Sequence, residues 1–157
     1  MPPVSALASL VKGSLAIKKR FIEEDEFDCG IRNFLNYGHT FGHAYESVTS
    51  FGIPHGIAVT LGVVSAAFAS EQLGLAPPGY FREIDALARP YYSPYEKRLA
   101  GTDAEVIVQA MCLDKKSTRG SVNCILTRGP GRMEKVPLDP ETELRSLVAE
   151  IKKEIFP

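Results

Sequence analysis

The chain has three histidines, His39, His43 and His55, and all of them fall in one short segment. On a helix the i, i+4 spacing of His39 and His43 sets both imidazoles on one face. His55 follows a turn built on Gly52 and Pro54, which can fold it back toward the other two. A neutral imidazole nitrogen binds Zn²⁺ at about 2.0 to 2.1 Å, and a catalytic site takes three protein ligands while leaving a position for water or substrate. The cluster therefore reads as a metal or substrate site, and a two-histidine, one-carboxylate set is the metal chemistry it would fit. Gly38 and Gly42 are expected to thin the helix face so that a ligand can approach closely. Arg32 and Asn36 extend the polar stripe upstream, giving Arg32, Asn36, His39 and His43 on one side of a predicted helix. Glu and Lys ordinarily make a solvated stripe, so this composition reads as a site.

The elements that must carry these residues follow from periodicity and from turn residues. Apolar residues at Leu7, Leu10, Val11, Leu15 and Ile17 predict a first helix from Val4 to Lys19, ending in the Lys18-Lys19-Arg20 cluster that suits a helix C-terminus. After an acidic stretch, Asp28 is read as the cap of a second helix from Ile31 to Ser50. The segment from Gly56 to Leu73 is apolar almost all round and is expected to be the central core helix. Tyr80 to Ala88 reads as an amphipathic helix stopped by Pro90, followed by a Tyr91 to Tyr95 loop. Asp103 is expected to cap a helix from Ala104 to Leu113, with a polar turn through Asp114, Lys115 and Lys116 to Gly120. Val122 to Thr127 and Met133 to Leu138, around Gly129-Pro130-Gly131, predict a β-hairpin. A last helix spans Glu141 to Ile155. The fold class is mainly α, with a small β-hairpin near residues 122–138.

Composition narrows the function. At 157 residues and 17.2 kDa the whole chain, 1–157, is expected to be one domain. Hydrophobic residues make up 45% and charged residues 24%, and a net charge of −1 gives no broad field to attract nucleic acid. Cys29, Cys112 and Cys124 form no CxxC pair, which argues against a disulfide framework and a cysteine zinc site and favours reduced thiols in a cytoplasmic protein. The N-terminus has no basic-then-apolar leader pattern. No run reaches the roughly 18 to 20 uninterrupted apolar residues of a membrane span, so no membrane partner is expected.

The run from Arg32 through Ala44, Arg-Asn-Phe-Leu-Asn-Tyr-Gly-His-Thr-Phe-Gly-His-Ala, followed by His55-Gly56 and Ala58-Val59, closely resembles the signature of 3-dehydroquinate synthases and related sugar-phosphate cyclases. Ile17-Lys18, Gly30, Leu73-Gly74 and Asp114-Lys115-Lys116 also fall where that family has similar residues. The resemblance covers essentially the whole chain as the family's helical C-terminal domain. It implies a carbon-oxygen lyase of the shikimate route to aromatic amino acids. In that reaction an NAD held by the other domain transiently oxidises a sugar-phosphate hydroxyl, phosphate leaves, hydride returns, and an aldol step closes the ring. It implies Zn²⁺, or another divalent metal, on His39 and His55, with His43 contacting substrate. Lys18 and Arg32 match groups that bind the substrate's carboxylate or phosphate, Asn36 a polar substrate contact, and either Lys115 or Lys116 a phosphate-binding lysine.

The family's third zinc ligand, a glutamate, and its nucleotide-binding elements would precede Met1. The resemblance therefore implies that this half needs an NAD-binding domain or partner chain and does not turn over alone. Homo-oligomers are expected, because family members pair. Two positions depart from the pattern: Ile57, where an acidic residue is common, and Tyr45, where an aliphatic is usual, and both bear on substrate identity. The alternatives are a cyclase of another sugar phosphate, as in routes to aminocyclitols, or a non-catalytic domain that binds a phosphorylated metabolite or a partner.

Overall fold

A computed structural model describes residues 3–113 and 120–156. Its backbone divides into two compact units, Met1–Asn36 and Tyr37–Pro157. In the first, helix α1 spans Val4–Glu24. It runs past the Lys18-Lys19-Arg20 cluster because Phe21 and Ile22 continue the apolar pattern and nothing interrupts the backbone until Asp25, whose N–H still donates to Phe21 O at 2.9 Å. No residue of α1 is buried, and Leu10 and Leu15 are well exposed.

The following turn is organised by Asp25 rather than Asp28. Asp25 Oδ1 accepts from Cys29 N at 2.9 Å, and Oδ2 accepts from Gly30 N at 2.7 Å and Arg32 N at 3.0 Å. Asp28 instead sits at φ 55, and its carbonyl accepts from Asn33 Nδ2. Desolvation acts against the Asp25 charge, but the three backbone donors prevail and hold its carboxyl below its ordinary value. A 3-10 helix, Ile31–Asn36, follows. The predicted Ile31 to Ser50 helix is thus two pieces, and α2 starts only at His39.

The second unit is built round helix α3, His55–Gln72, with α2, His39–Val48, packed along it. Ala58, Leu61, Val64, Ala66, Ala67 and Ala69 on α3 are fully buried, as its all-round apolar sequence requires. Helix α4, Tyr80–Tyr92, carries Pro90 inside it instead of ending there. The last turn is tied back to Asp85, which accepts from Arg89 Nε at 2.9 Å and from the Tyr92 hydroxyl. These bonds offset the backbone bond that proline removes. A short 3-10 turn, Ser93–Tyr95, and helix α5, Lys97–Ala100, replace the expected loop.

Helix α6, Ala104–Leu113, starts after Asp103, whose Oδ1 accepts from Glu105 N at 2.9 Å. The hairpin forms as read, β1 at Val122–Thr127 antiparallel to β2 at Met133–Leu138, with Val122 opposite Leu138 and Thr127 opposite Met133. Thr127 N donates to Ser70 Oγ at 3.0 Å, which fixes β1 to α3. Helix α7, Glu143–Ile155, buries Leu144, Leu147, Val148, Ile151 and Ile155 on one face. It begins two residues later than the pattern suggests because Asp139 Oδ1 captures the N–H groups of Glu141 and Thr142 in a turn. Lys115 and Lys116 lie outside the described residues. Among the described residues no helix is long and apolar enough to cross a membrane.

Candidate metal and substrate site

The site depends on how closely α2 and α3 approach. Gly38 opens α2 at φ 78, and a Cβ there would stand 2.6 Å from Val63 N. A Cβ on Gly62 would stand 1.9 Å from Gly38 O, and one on Gly42 would stand 3.0 Å from Ala58 O. Gly38 therefore lies against Gly62 and Gly42 against Ala58, so the two helices run antiparallel with backbone touching backbone. These glycines face the neighbouring helix. They serve helix packing, which corrects the expectation that Gly38 and Gly42 open the helix face to a ligand.

One more turn along this pairing brings the end of α2 to the start of α3. The link is tight. Ser50 and Phe51 both take positive φ, 50 and 58, and Phe51 N donates to Glu46 O at 2.7 Å. Buried Ile53 pins the turn, and Pro54 delivers His55 as the first residue of α3.

The three imidazoles meet there. Ring centroids are 5.5 Å apart for His39 and His43, 5.8 Å for His39 and His55, and 6.0 Å for His43 and His55. Glu46, three residues beyond His43 on the same face of α2, completes the cluster. His43, Glu46 and His55 each offer a ligand atom within 4.8 Å of the others'. Glu46 is 9% exposed, and its two carboxylate oxygens each lie 3.1 Å from His55 Nδ1. His39 Nδ1 lies 3.3 Å from Tyr37 O. A carbonyl and a carboxylate can only accept, so each contact is satisfied when Nδ1 carries the proton, and a neutral ring in that form keeps its lone pair on Nε2. Imidazole nitrogens with a carboxylate behind them suit a divalent ion of the zinc or cobalt type.

Glu46 was not singled out from the sequence. Its i+3 and i+7 spacing from His43 and His39 is a signal that could have found it. The upstream candidates belong to the first unit. Lys18 is exposed on α1, and Asn36 is half-buried at the end of the 3-10 helix. Arg32 Nη1 donates to Glu26 O at 2.8 Å, which anchors one arm of its guanidinium. Because the helix is broken between Asn36 and His39, Arg32 and Asn36 are not part of one α-helical stripe with the histidines.

The two departures have different surroundings. Tyr45 is 1% exposed, its hydroxyl lies 2.7 Å from Ser65 Oγ, and its ring meets Phe156 edge-on at 5.6 Å. Burial pushes its hydroxyl pKa up. Tyr45 is thus accommodated in the core, and its change of type bears on packing. Ile57 is half-buried against the same core.

Residues 3–117 match the family model described as 3-dehydroquinate synthase C-terminal. A 3-dehydroquinate synthase of Dehalococcoides mccartyi is 38% identical over 149 residues, covering 95% of this chain and 40% of that protein. One from Xylella fastidiosa is 36% identical over 151 residues, with 92% and 40% covered. The chain spans about 40% of the length of the curated relatives it matches. In architecture it is similar to 2-deoxy-scyllo-inosose synthase, solved with carbaglucose-6-phosphate, NAD+ and Co2+. The TM-score is 0.78 at 22% identity, over 96% of this chain and 41% of that one.

Proposed function

The chain belongs to the 3-dehydroquinate synthase family, as its C-terminal domain, and on that premise we propose that it is the metal- and substrate-binding half of a sugar-phosphate cyclase. The reaction is elimination of phosphate from a phosphorylated sugar acid, followed by ring closure, in the cytoplasmic route through shikimate to aromatic amino acids. The observation that carries this reading is the meeting of His39, His43 and His55 over the buried carboxylate of Glu46.

In this reading His39 and His55 hold a divalent ion through Nε2. Such an ion supplies Lewis-acid polarisation of a substrate oxygen. His43, half-buried beside both rings, contacts the substrate and is placed to hold or move a proton at its hydroxyl. Arg32 binds a carboxylate or phosphate with the planar fork that its Glu26 contact orients. Lys18 and one of Lys115 and Lys116 add cationic contacts to the phosphate, and Asn36 adds a polar one. The relative solved with NAD+ and Co2+ supports a cofactor-dependent reaction. No residue of this chain is assigned to the nicotinamide, which is expected on an NAD-binding domain or partner chain. Pairing of such units into a homo-oligomer belongs to the same proposal.

Joining this chain to the N-terminal part of the Dehalococcoides relative, with NAD and zinc supplied, tests the reading. Phosphate release is expected from a seven-carbon sugar-acid phosphate and is expected to disappear in His43→Ala and His55→Ala. Release only from six-carbon sugar phosphates would assign a different cyclase. A folded chimera that binds a sugar phosphate regardless of the histidines, and releases none, would support the non-catalytic alternative.

A further inference from the structure

A carboxylate is costly to bury without a partner, and Glu46 has a specific one. Both of its oxygens stand at the same 3.1 Å from His55 Nδ1. The two side chains also differ in exposure, 11% for Glu46 and 60% for His55. The carboxylate is therefore the buried partner on the Nδ1 edge of the ring, and the ring itself stands 5.8 Å from that of His39 and 6.0 Å from that of His43.

We propose that Glu46 is a positioning residue for the metal site. It holds His55 in the Nδ1–H tautomer and aims the Nε2 lone pair at the ion. This rests on the assignment of His55 as a metal ligand. An imidazole free to rotate would present either nitrogen, and in the wrong tautomer the facing nitrogen would carry a proton and could not bind metal. The carboxylate removes that freedom and enriches the ring in electron density, which raises its basicity as a ligand. The placement follows from the α2–α3 pairing, since the turn closed by Phe51 N on Glu46 O puts His55 opposite the Glu46 side chain. A direct-ligand role would turn one oxygen from Nδ1 to the ion and leave the other on Nδ1, an arrangement that metal-edge spectroscopy separates from the orienting one.

Long-range ¹H–¹⁵N correlation spectra of the metal-free 157-residue chain read the tautomer directly. The wild type is expected to show His55 as Nδ1–H. Glu46→Ala is expected to move it to the Nε2–H form, and Glu46→Gln, which keeps a carbonyl acceptor, to preserve Nδ1–H. In parallel, competition with a chromophoric chelator is expected to show Zn²⁺ bound about 10- to 100-fold more weakly by Glu46→Ala, with a smaller loss in Glu46→Gln. Three results overturn the proposal: His55 as Nε2–H in the wild type, a tautomer indifferent to Glu46→Ala, or an X-ray absorption spectrum in which Zn²⁺ loses an oxygen ligand on Glu46→Gln. A wild-type spectrum with His55 as Nε2–H overturns the proposal even if a variant fails to fold. A wild type that shows Nδ1–H and responds to Glu46→Ala, yet binds no Zn²⁺, upholds the orienting role and removes only the metal reading on which its purpose rests.

Discussion

At His39 and His55 the imidazole Nδ1 meets a group that can only accept, the Tyr37 carbonyl and the Glu46 carboxylate. This is how a protein fixes the tautomer of a ligating histidine. The neighbouring Tyr45 has a different role. Its hydroxyl pairs with Ser65 Oγ, which also donates to Leu61 O at 3.0 Å. Tyr45→Phe removes the hydroxyl while leaving Ser65 a partner, so we expect a loss of about 1 kcal/mol in denaturant unfolding, the usual net worth of one hydrogen bond. Zinc affinity is expected to stay unchanged, because the ring is turned into the core against Phe156. A matching drop in zinc affinity would place Tyr45 in the site after all.

At the level of elements, the α2–α3 contact decides whether a site exists. A Cβ on Gly62 would sit 1.9 Å from a backbone oxygen, a clash no side-chain rotation relieves. Gly62→Ala is expected to lower stability by about 3 kcal/mol or more, at the upper end of overpacking costs, and to weaken zinc binding by moving His55 away from Glu46. Thermal denaturation and chelator competition measure the two effects. A Gly62→Ala protein as stable as wild type would contradict the close approach.

This contact also shows what could be read from the sequence. The hairpin strands, the core helix and the gathering of the histidines were legible, because turn residues and period alone set them. The glycines are legible but their partner is not, since nothing local in Gly38 or Gly42 shows that Gly62 lies opposite. The role of Glu46 is not legible in the sequence, because its significance comes from a contact made across the turn. The break before His39 was hidden for a related reason. Asp25 reaches forward to Cys29, Gly30 and Arg32, and this tertiary-like turn overrides the helical pattern that Ile31 and Leu35 suggest.

Across the whole molecule, the hydrophobic core lies in the unit Tyr37–Pro157 and includes Cys124, which is 0% exposed on β1. Burial pushes its thiol from an ordinary 9.0 up to about 12. In the unfolded chain the thiol ionises near the ordinary value, whereas the folded chain keeps its proton. Stability from this source is therefore fully present below about pH 9 and is lost as pH rises from there toward 12. Denaturation curves across that window should fall less steeply for Cys124→Val than for wild type. Exposed Cys29 should react with a thiol reagent in the native protein, and Cys124 only on unfolding. Rapid native labelling of Cys124 would mean that this core opens readily.

The most direct test of the account is a zinc titration of the chain against a competing chelator. One equivalent is expected to bind weakly, to be lost in His39→Ala and in His55→Ala, and to persist in His43→Ala. Binding that survives both of the first two substitutions, or a folded wild type that takes up no zinc, would contradict the assignment of this histidine cluster as a metal site.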